Sequence, residues 1–351
     1  MKLIVNRMKK VLFVMPALFI CFMMLPNCKV QAQDSTNAEE PEMPEIPVKA
    51  KPLKNSFKSV WIIDNQTVLV PVKGTFEMDI MHRFGTWNNG YQDFWGLFAA
   101  SNIRIGVNYV PIDRLNIGLG FTKTTAAVIP HAGISSVDGP LWDGNLKYAI
   151  ITQTRDKYPV SVSYYGNAAY NTKKDTDHEI YRYSSDRWTF FHQILIARKI
   201  TDKLTVQVAP SLSHHNVVNG YFTKIDDSTL KVNPSMQFNH YAIALSARYR
   251  LTTVTSLMIN YDQPLTKHAT NNPNPSLSFG VEFNTSSHSF QIFFTNFYYL
   301  NPGVNNLYNT NNPFGYTDHS TDDPGTAADE STKVSGGRFL IGFNITRLWN
   351  Y

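Results

Sequence analysis

The chain has 351 residues, a formal net charge of +5, and 13% aromatic residues. Its first 32 residues carry five of the 32 Lys and Arg residues and none of the 27 Asp and Glu residues, so the remainder is formally neutral. A neutral remainder lacks the strongly basic surface that nucleic-acid binding requires. We therefore expect no nucleic-acid partner.

The N-terminus has the pattern of a secretory signal peptide. Four basic residues within Lys2–Lys10 precede an apolar run from Val11 to Pro26, and Val30-Gln31-Ala32 offers residues that a signal peptidase accepts. A transmembrane anchor and lipidation at Cys28 are weaker alternatives, because the run is short and the lipidation motif fits badly. The sequence predicts a signal peptide over residues 1–32 and hence export.

The next segment has no periodic pattern. Residues 33–57 are rich in Glu, Pro and Lys, which is typical of a disordered linker, and export predicts that it lies in the periplasm. Val60–Val72 is more apolar, but Pro71 makes it a poor central strand. It is either a lead-in strand or a short plug, and the sequence leaves both open.

From Gly74 onward, apolar and polar residues alternate. The hairpin over residues 101–123 shows this best, with Ile103 and Ile105 alternating with Asn102 and Arg104 before a short turn at 111–114. Period-two alternation indicates antiparallel strands with one apolar face. The predicted strands are Thr75–Phe84, Ser101–Val110, Leu115–Lys123, Trp142–Gln153, Val160–Tyr170, Trp188–Ile200, Leu204–His214, Phe238–Leu251, Thr255–Tyr261, Ser276–Asn284, His288–Thr295 and Gly337–Trp349.

The connections between these strands alternate strictly in length. Short turns at 111–114, 155–158, 201–203, 252–254 and 285–287 alternate with longer loops, of which the last spans 297–336. Outer-membrane barrels place short turns in the periplasm and long loops outside. The sequence therefore predicts an all-β fold, an antiparallel transmembrane β-barrel of about twelve strands over residues 58–351. Its location is the bacterial outer membrane, with the lipid bilayer as its partner.

Several segments resemble an uncharacterised outer-membrane β-barrel family. They are His82-Arg83-Phe84-Gly85, Phe94–Leu97, Ser101–Gly106, Asp113–Leu115 and Gly342–Arg347. The likeness covers most of the chain after the signal peptide. It implies the same fold and location, but the family has no agreed activity, so the resemblance implies no substrate or site residue.

Five charged residues form the candidate site. Strand parity directs Arg83 and Arg104 into the lumen on neighbouring strands, with Glu77 and Asp79 deeper on the first strand. Arg338 lies at the outer end of the last strand, which closure places beside the first. This cluster is either a constriction that selects small anionic solutes or an ion-pair network that braces the wall. The nearby carboxylates favour the network.

Small residues predicted to face inward indicate space in the lumen. They are Gly106, Gly118, Gly120, Ser161, Ser163, Ser278, Gly280 and Gly342. A twelve-stranded wall has a backbone radius of roughly 12 Å, so a small lining leaves room for a narrow water path. The alternative is that residues 60–72 or the last loop occupy that room.

The leading functional interpretation is a porin-like channel for small solutes, polar or anionic. The alternative is a structural or secretion-associated barrel that binds a periplasmic partner through the linker or a surface ligand through the last loop. A plugged lumen would favour this alternative.

A barrel hydrolase is the third interpretation. Ser211, Ser213, His214, His215 and Asn216 lie near the outer end of one strand, but their spacing differs from that of the outer-membrane phospholipase. The sequence has neither ligand spacing for a metal nor a phosphate-binding glycine loop. We expect no enzymatic activity, no cofactor and no metal.

Overall fold

The computed structural model of the protein describes residues 56–350 apart from 125–138, 156, 177, 179, 219, 226–228, 235, 270–271, 313, 315, 319–331 and 335–338. The predicted signal peptide, 1–32, and nearly all of the predicted linker, 33–57, lie outside the described residues. Within the described part of the chain, none of the helices is long and apolar enough to cross a membrane.

The described chain begins with a short hairpin of β1 (Trp61–Ile62) and β2 (Asn65–Gln66). Twelve longer strands follow: β3 (Thr75–Thr86), β4 (Asn102–Ile112), β5 (Leu115–Thr124), β6 (Gly139–Ile151), β7 (Ser161–Asn171), β8 (Trp188–Lys199), β9 (Leu204–His215), β12 (Asn239–Arg250), β13 (Thr255–Pro264), β14 (Ser276–Asn284), β15 (His288–Thr295) and β18 (Leu340–Asn350). The loops carry β10 (Gly220–Lys224), β11 (Leu230–Pro234), α1 (Pro302–Tyr308), β16 (Tyr316–Asp318) and β17 (Thr332–Val334).

The twelve longer strands form one closed antiparallel barrel. Each pairs with the next along the chain, β9 pairs with β12, β15 pairs with β18, and β18 closes on β3. The predicted closed barrel of twelve antiparallel strands is therefore confirmed. Strand ends differ by a few residues: β13 continues past Tyr261 to Pro264, because Gln263 still pairs with Ile243 of β12.

The two faces of the wall differ in polarity. In β4, Ile103, Ile105 and Tyr109 are exposed on the outside, whereas Asn102 and Arg104 are buried on the inside. An apolar outer face with a polar interior is the arrangement of a barrel surrounded by lipid. Following the general rule for such barrels, the end with short turns is the periplasmic end and the end with long loops is the outer end.

The glycines that face the lumen do not leave the predicted water path. The guanidinium group of Arg104 lies where a side chain at Gly106 or Gly120 would lie, and the Phe293 ring covers Gly342. Each glycine accommodates a large side chain from a neighbouring position, so its volume is filled. The expectation of open space at these positions is wrong, because the sequence does not show which neighbours turn over a small residue.

We expect Gly120→Ala to lower the free energy of unfolding by about 1–3 kcal/mol, because the new Cβ would overlap the Arg104–Asp143 pair. Gly144→Ala is the matched control: its Cβ faces outward and meets only Leu119, at 3.9 Å. The control should change the free energy by less than about 0.5 kcal/mol. Urea titration of the refolded barrel, read by gel mobility, measures both. Equal effects of the two variants would contradict the packing described here.

Candidate functional site in the barrel lumen

Residues 56–70, here termed the plug, lie inside the barrel. Thr205 Oγ1 donates to the Ser56 carbonyl (2.7 Å) and Lys58 Nζ donates to the Thr253 carbonyl (2.9 Å). Because both wall residues lie at the periplasmic end, the plug enters the lumen from that side. Of the two structures left open for residues 60–72, the protein adopts the plug.

The tip of the plug has a strained backbone that the wall holds in place. Ile63 has φ of 63°, a left-handed conformation that is costly for a β-branched residue. Its N–H donates to Gln291 Oε1 (3.1 Å), and its carbonyl accepts from Asn344 Nδ2 (2.6 Å). Gln291 Nε2 also donates to the Trp61 carbonyl (2.8 Å). One glutamine therefore binds two backbone groups of the hairpin.

A second glutamine binds the returning arm of the plug in the same way. Gln207 Oε1 accepts from the Val68 N–H (3.2 Å), and Gln207 Nε2 donates to the Gln66 carbonyl (2.8 Å). Ser163 Oγ donates to the Val68 carbonyl (2.9 Å). These side chains supply the hydrogen bonds that a sheet would otherwise provide to a buried backbone.

Apolar side chains of the plug pack against the inner wall. Four of them, Phe57, Ile62, Ile63 and Val68, are at most 7% exposed. They share one buried cluster with Tyr165, Phe191, Leu195, Ala197, Ala209, Ala244, Met258, Phe293 and Phe297. The plug is therefore fixed by apolar burial as well as by hydrogen bonds.

The last outer loop fills the lumen from the opposite end. Every residue of α1 is buried, and Asn301 caps the helix by accepting from the Gly303 N–H (3.0 Å). Asn305 Nδ2 donates to Asp64 Oδ2 at the tip of the plug (3.1 Å), while Asn260 Nδ2 of β13 donates to Asp64 Oδ1 (2.9 Å). Plug, wall and outer loop therefore meet at a single carboxylate.

Arg83 and Arg104 are both buried in the lumen, but they serve different neighbours. Arg104 forms a bidentate pair with Asp143 of β6, with distances of 2.8 and 3.1 Å. Arg83 of β3 donates to Asn344 Oδ1 (3.0 Å) on the neighbouring strand β18. Its guanidinium carbon lies 4.6 Å from the Phe293 ring centroid. Among the described residues, Nε and Nη2 of Arg83 have no hydrogen-bond partner. Arg338 lies outside the described residues.

Glu77 and Asp79 lie together on β3, beneath the plug. Asn108 Nδ2 donates to both carboxylates, at 3.2 and 2.9 Å. Asp79 also accepts from Trp61 Nε1 (3.1 Å) and from Thr346 Oγ1 (3.0 Å). Asp79 thus binds the plug and both neighbouring strands, and Glu77 binds Asn108 of β4, whereas the hydrogen bonds of Arg104 go to Asp143.

Most of the side chains that hold the plug were not predicted from the sequence. Besides the two glutamines they include Lys147, Gln193 and Asp262 of the wall and Asn305 of the outer loop. Lys147 Nζ donates to Gln66 Oε1 (2.7 Å), and Gln193 Nε2 donates to Asn65 Oδ1 (2.8 Å). The sequence pattern could have indicated some of these residues, because polar residues at inward positions of a strand must find hydrogen-bond partners within the barrel.

A histidine pair at the outer end bears on the hydrolase interpretation. The Gln237 N–H donates to His268 Nδ1 (2.9 Å), so neutral His268 carries its hydrogen on Nε2 and donates it to His240 Nδ1 (2.9 Å). His240 then carries its own hydrogen on Nε2. His240 lies on β12, where it pairs with Ser213 of β9. A protonated Nε2 cannot accept the serine proton, so this arrangement does not provide a general base.

The described residues include no group of three or more His, Cys, Asp or Glu side chains placed to hold a metal ion.

Residues 57–349 match the family model described as "Membrane bound beta barrel domain (DUF5777)". The chain belongs to this family. Membership agrees with the closed barrel and its apolar outer face, and with the resemblance to an outer-membrane barrel family. The protein is an outer-membrane β-barrel, as its sequence predicts.

Several solved structures are similar to the chain. A NanC porin is 9% identical (TM-score 0.39), with coverage of 79% of this chain and 99% of that chain. An outer membrane channel from Pseudomonas putida F1 is 13% identical (TM-score 0.39), with coverage of 80% of this chain and 97% of that chain. The toluene transporter TbuX of Ralstonia pickettii is 8% identical (TM-score 0.37), with coverage of 81% of this chain and 91% of that chain. No curated protein matches, so the assignment depends on the family model and the described fold.

Asp64→Ala should loosen the plug and the outer loop together, because Asn260 and Asn305 both lose their acceptor. We expect faster amide hydrogen exchange in residues 61–66 and in 302–308. Lys58→Ala is the matched control, since Lys58 binds the wall only at the periplasmic end. Exchange in 302–308 should stay unchanged in the control. An equal response of that segment in both variants would show that Asp64 does not connect plug and loop.

Acid should weaken the attachment of residues 265–269 to the barrel. Partial burial lowers the pKa of the His268 imidazole. Because the folded pKa lies below the unfolded value of about 6.5, the released loop binds the proton more tightly, and stability is lost as the pH falls below about 6.5. Amide exchange of this segment, corrected for intrinsic rates, should be faster at pH 5.5 than at 7.5. His268→Asn should abolish the difference; an undiminished difference would contradict the assignment.

Proposed function

We propose that the protein is a porin-like channel for small polar or anionic solutes, closed at rest by the plug and by the last outer loop. The observation that carries the proposal is the way the plug is bound. Its backbone is held by side chains of the wall, such as Gln207 and Gln291, rather than by pairing with the barrel strands. Because the twelve-stranded ladder closes without the plug, the plug can leave while the wall stays intact.

The polar interior supports this proposal. When the plug is withdrawn, the wall exposes amides and hydroxyls, among them Gln193, Gln207, Asn260 and Ser163, all buried on the inner face. Such groups form hydrogen bonds with water as readily as with the plug backbone. A polar lining of this kind is typical of water-filled barrels.

We propose Arg83 as the residue that gives the open lumen its preference for anions. Arg104 is compensated by Asp143, so its net field in the lumen is small. Arg83 keeps two N–H groups without partners among the described residues and stacks on Phe293. Asp79 is proposed to hold the resting plug through Trp61, with Glu77 bound beside it to Asn108, rather than to select solutes. The place of Arg338 in this cluster stays a prediction.

Single-channel conductance in a planar bilayer tests the proposal. The mature protein should be silent or open rarely, whereas deletion of residues 33–70 together with residues 301–309, the buried helix of the last outer loop, should give steady openings. Gln207→Ala combined with Gln291→Ala should raise the open fraction about tenfold or more, because four backbone groups of the plug lose their partners. Gln263→Ala, an outward-facing strand glutamine, is the control. A folded deletion variant that stays silent would rule out a channel.

The same bilayer shows whether Arg83 sets selectivity. In a salt gradient, the deletion variant should prefer anions, and Arg83→Ala in that background should shift its reversal potential towards the cation side. Arg104→Ala leaves Asp143 without its ion-pair partner and serves as a comparison in which a salt bridge of the wall is broken. An unchanged reversal potential in the Arg83 variant would contradict its proposed role.

The filled lumen also favours a second function, a barrel that binds a periplasmic partner through the predicted linker. A folded, silent deletion variant is the result that this function predicts. Crosslinking from Ser56→Cys, at the periplasmic entrance, would then be expected to capture the same partner repeatedly. Under both proposed functions we expect the barrel to have no enzymatic activity, which stays a prediction.

A further inference from the structure

The loop between β3 and β4 exposes four large aromatic side chains at the outer end of the barrel. Tyr91 is 80% exposed, Phe94 42%, Trp95 46% and Phe98 82%. Their ring centroids lie 5.2 to 6.2 Å apart in four successive contacts. An exposed apolar cluster of this kind marks a surface that contacts something other than water.

The loop is held in a conformation that is costly for its residues. Phe94 and Trp95 have φ of 51° and 54°, followed by Gly96 at 82°. Gly96 N donates to Asp93 Oδ1 (2.8 Å), and Gly85 N donates to the Gly96 carbonyl (3.1 Å). A side chain at Gly85 or Gly96 would overlap the other segment. Two consecutive left-handed aromatic residues, fixed from both sides, indicate that the presentation of these rings serves a function.

The loop begins beside aromatic residues of the lipid-facing surface. The loop begins at Trp87, whose ring lies 5.5 Å from both Phe294 and Phe339. Phe279 lies 5.7 Å from each of the same two rings. Phe279 and Phe294 are exposed on the outer face, near the outer ends of β14 and β15. The loop therefore starts from the wall that contacts lipid rather than from above the lumen.

The charge of the loop also fits a lipid boundary. Residues 87–98 contain one charged side chain, Asp93. Its carboxylate is occupied by Asn89 Nδ2 (2.9 Å) and by the Gly96 N–H. Tyr and Trp favour the boundary between headgroups and acyl chains, where the ring is apolar and its polar atom stays hydrated.

We propose that residues 91–98 form a membrane-interface anchor, with their four aromatic rings in the headgroup region of the outer leaflet. The anchor sits beside the closure of β18 on β3, because the Trp87 N–H donates to the Phe339 carbonyl (3.0 Å) just before β18 begins. It holds the outer ends of the paired strands β18 and β3 at the bilayer surface. The proposal stands independently of solute passage, since the channel proposal rests on the plug and on wall residues that are not part of the loop.

Spin labelling tests the anchor. The mature chain from Gln33 has no cysteine, because Cys21 and Cys28 both precede it. A nitroxide on Phe98→Cys is compared with one on Phe314→Cys, which is 76% exposed on the last outer loop. In vesicles of phosphatidylcholine and phosphatidylglycerol, the ratio of collisions with oxygen to collisions with a water-soluble nickel chelate reports depth. We expect this ratio to be about threefold or more higher at position 98 than at 314.

The companion variant carries Tyr91→Ser and Trp95→Ser in addition to the label at 98. Its ratio should fall to the value at 314, because Phe98 is already replaced by the label and only Phe94 of the four rings then remains. Heat-modifiable gel mobility confirms that the barrel itself is folded. A ratio at 98 equal to that at 314 in the parent protein would overturn the proposal. Protection of position 98 from both reagents would overturn it too, and would indicate a protein contact instead of lipid.

Discussion

The structure depends on one constraint: a backbone buried in the lumen has to form hydrogen bonds without joining the barrel sheet. Strands β1 and β2 contain only two residues each, so most of the plug has no strand partner. An unpaired buried N–H or carbonyl costs about 1–3 kcal/mol. Gln207 and Gln291 remove four such penalties, since each accepts from one backbone group and donates to another. The inward amides of the wall therefore decide where the plug lies.

The barrel could be predicted from the sequence because its signals are local. Alternation along each strand and the alternating lengths of the connections are both visible in short windows, and Ser276–Asn284 and His288–Thr295 have the predicted ends. Strand parity also placed Arg83 and Arg104 inside. The plug could not be predicted in the same way, because a hairpin whose partners are wall side chains has no periodic pattern of its own.

Pairing inside the lumen is the other part that the sequence does not reveal. Arg104 binds Asp143, two strands away, although Asp79 lies on the strand next to it. Arg248 binds Glu282 in the same way across β13. Parity states only that a side chain points inward, whereas its partner depends on stagger, on the reach of a long side chain and on small residues that make room. Gly120 makes that room for Arg104.

The strength of the plug decides how the proposed channel could open. Full burial of a Val, Ile or Phe side chain is worth about 1.5–3 kcal/mol, and the plug buries Phe57, Ile62, Ile63 and Val68. Release of only two of these side chains already costs about 3–6 kcal/mol, which corresponds to an open fraction between about one in a hundred and one in ten thousand. Thermal motion alone would then leave the channel closed. Opening requires an input on the plug, which can be reached from the periplasmic end beside Thr205 and Thr253 and from the outer end through Asn305, which binds Asp64 at its tip.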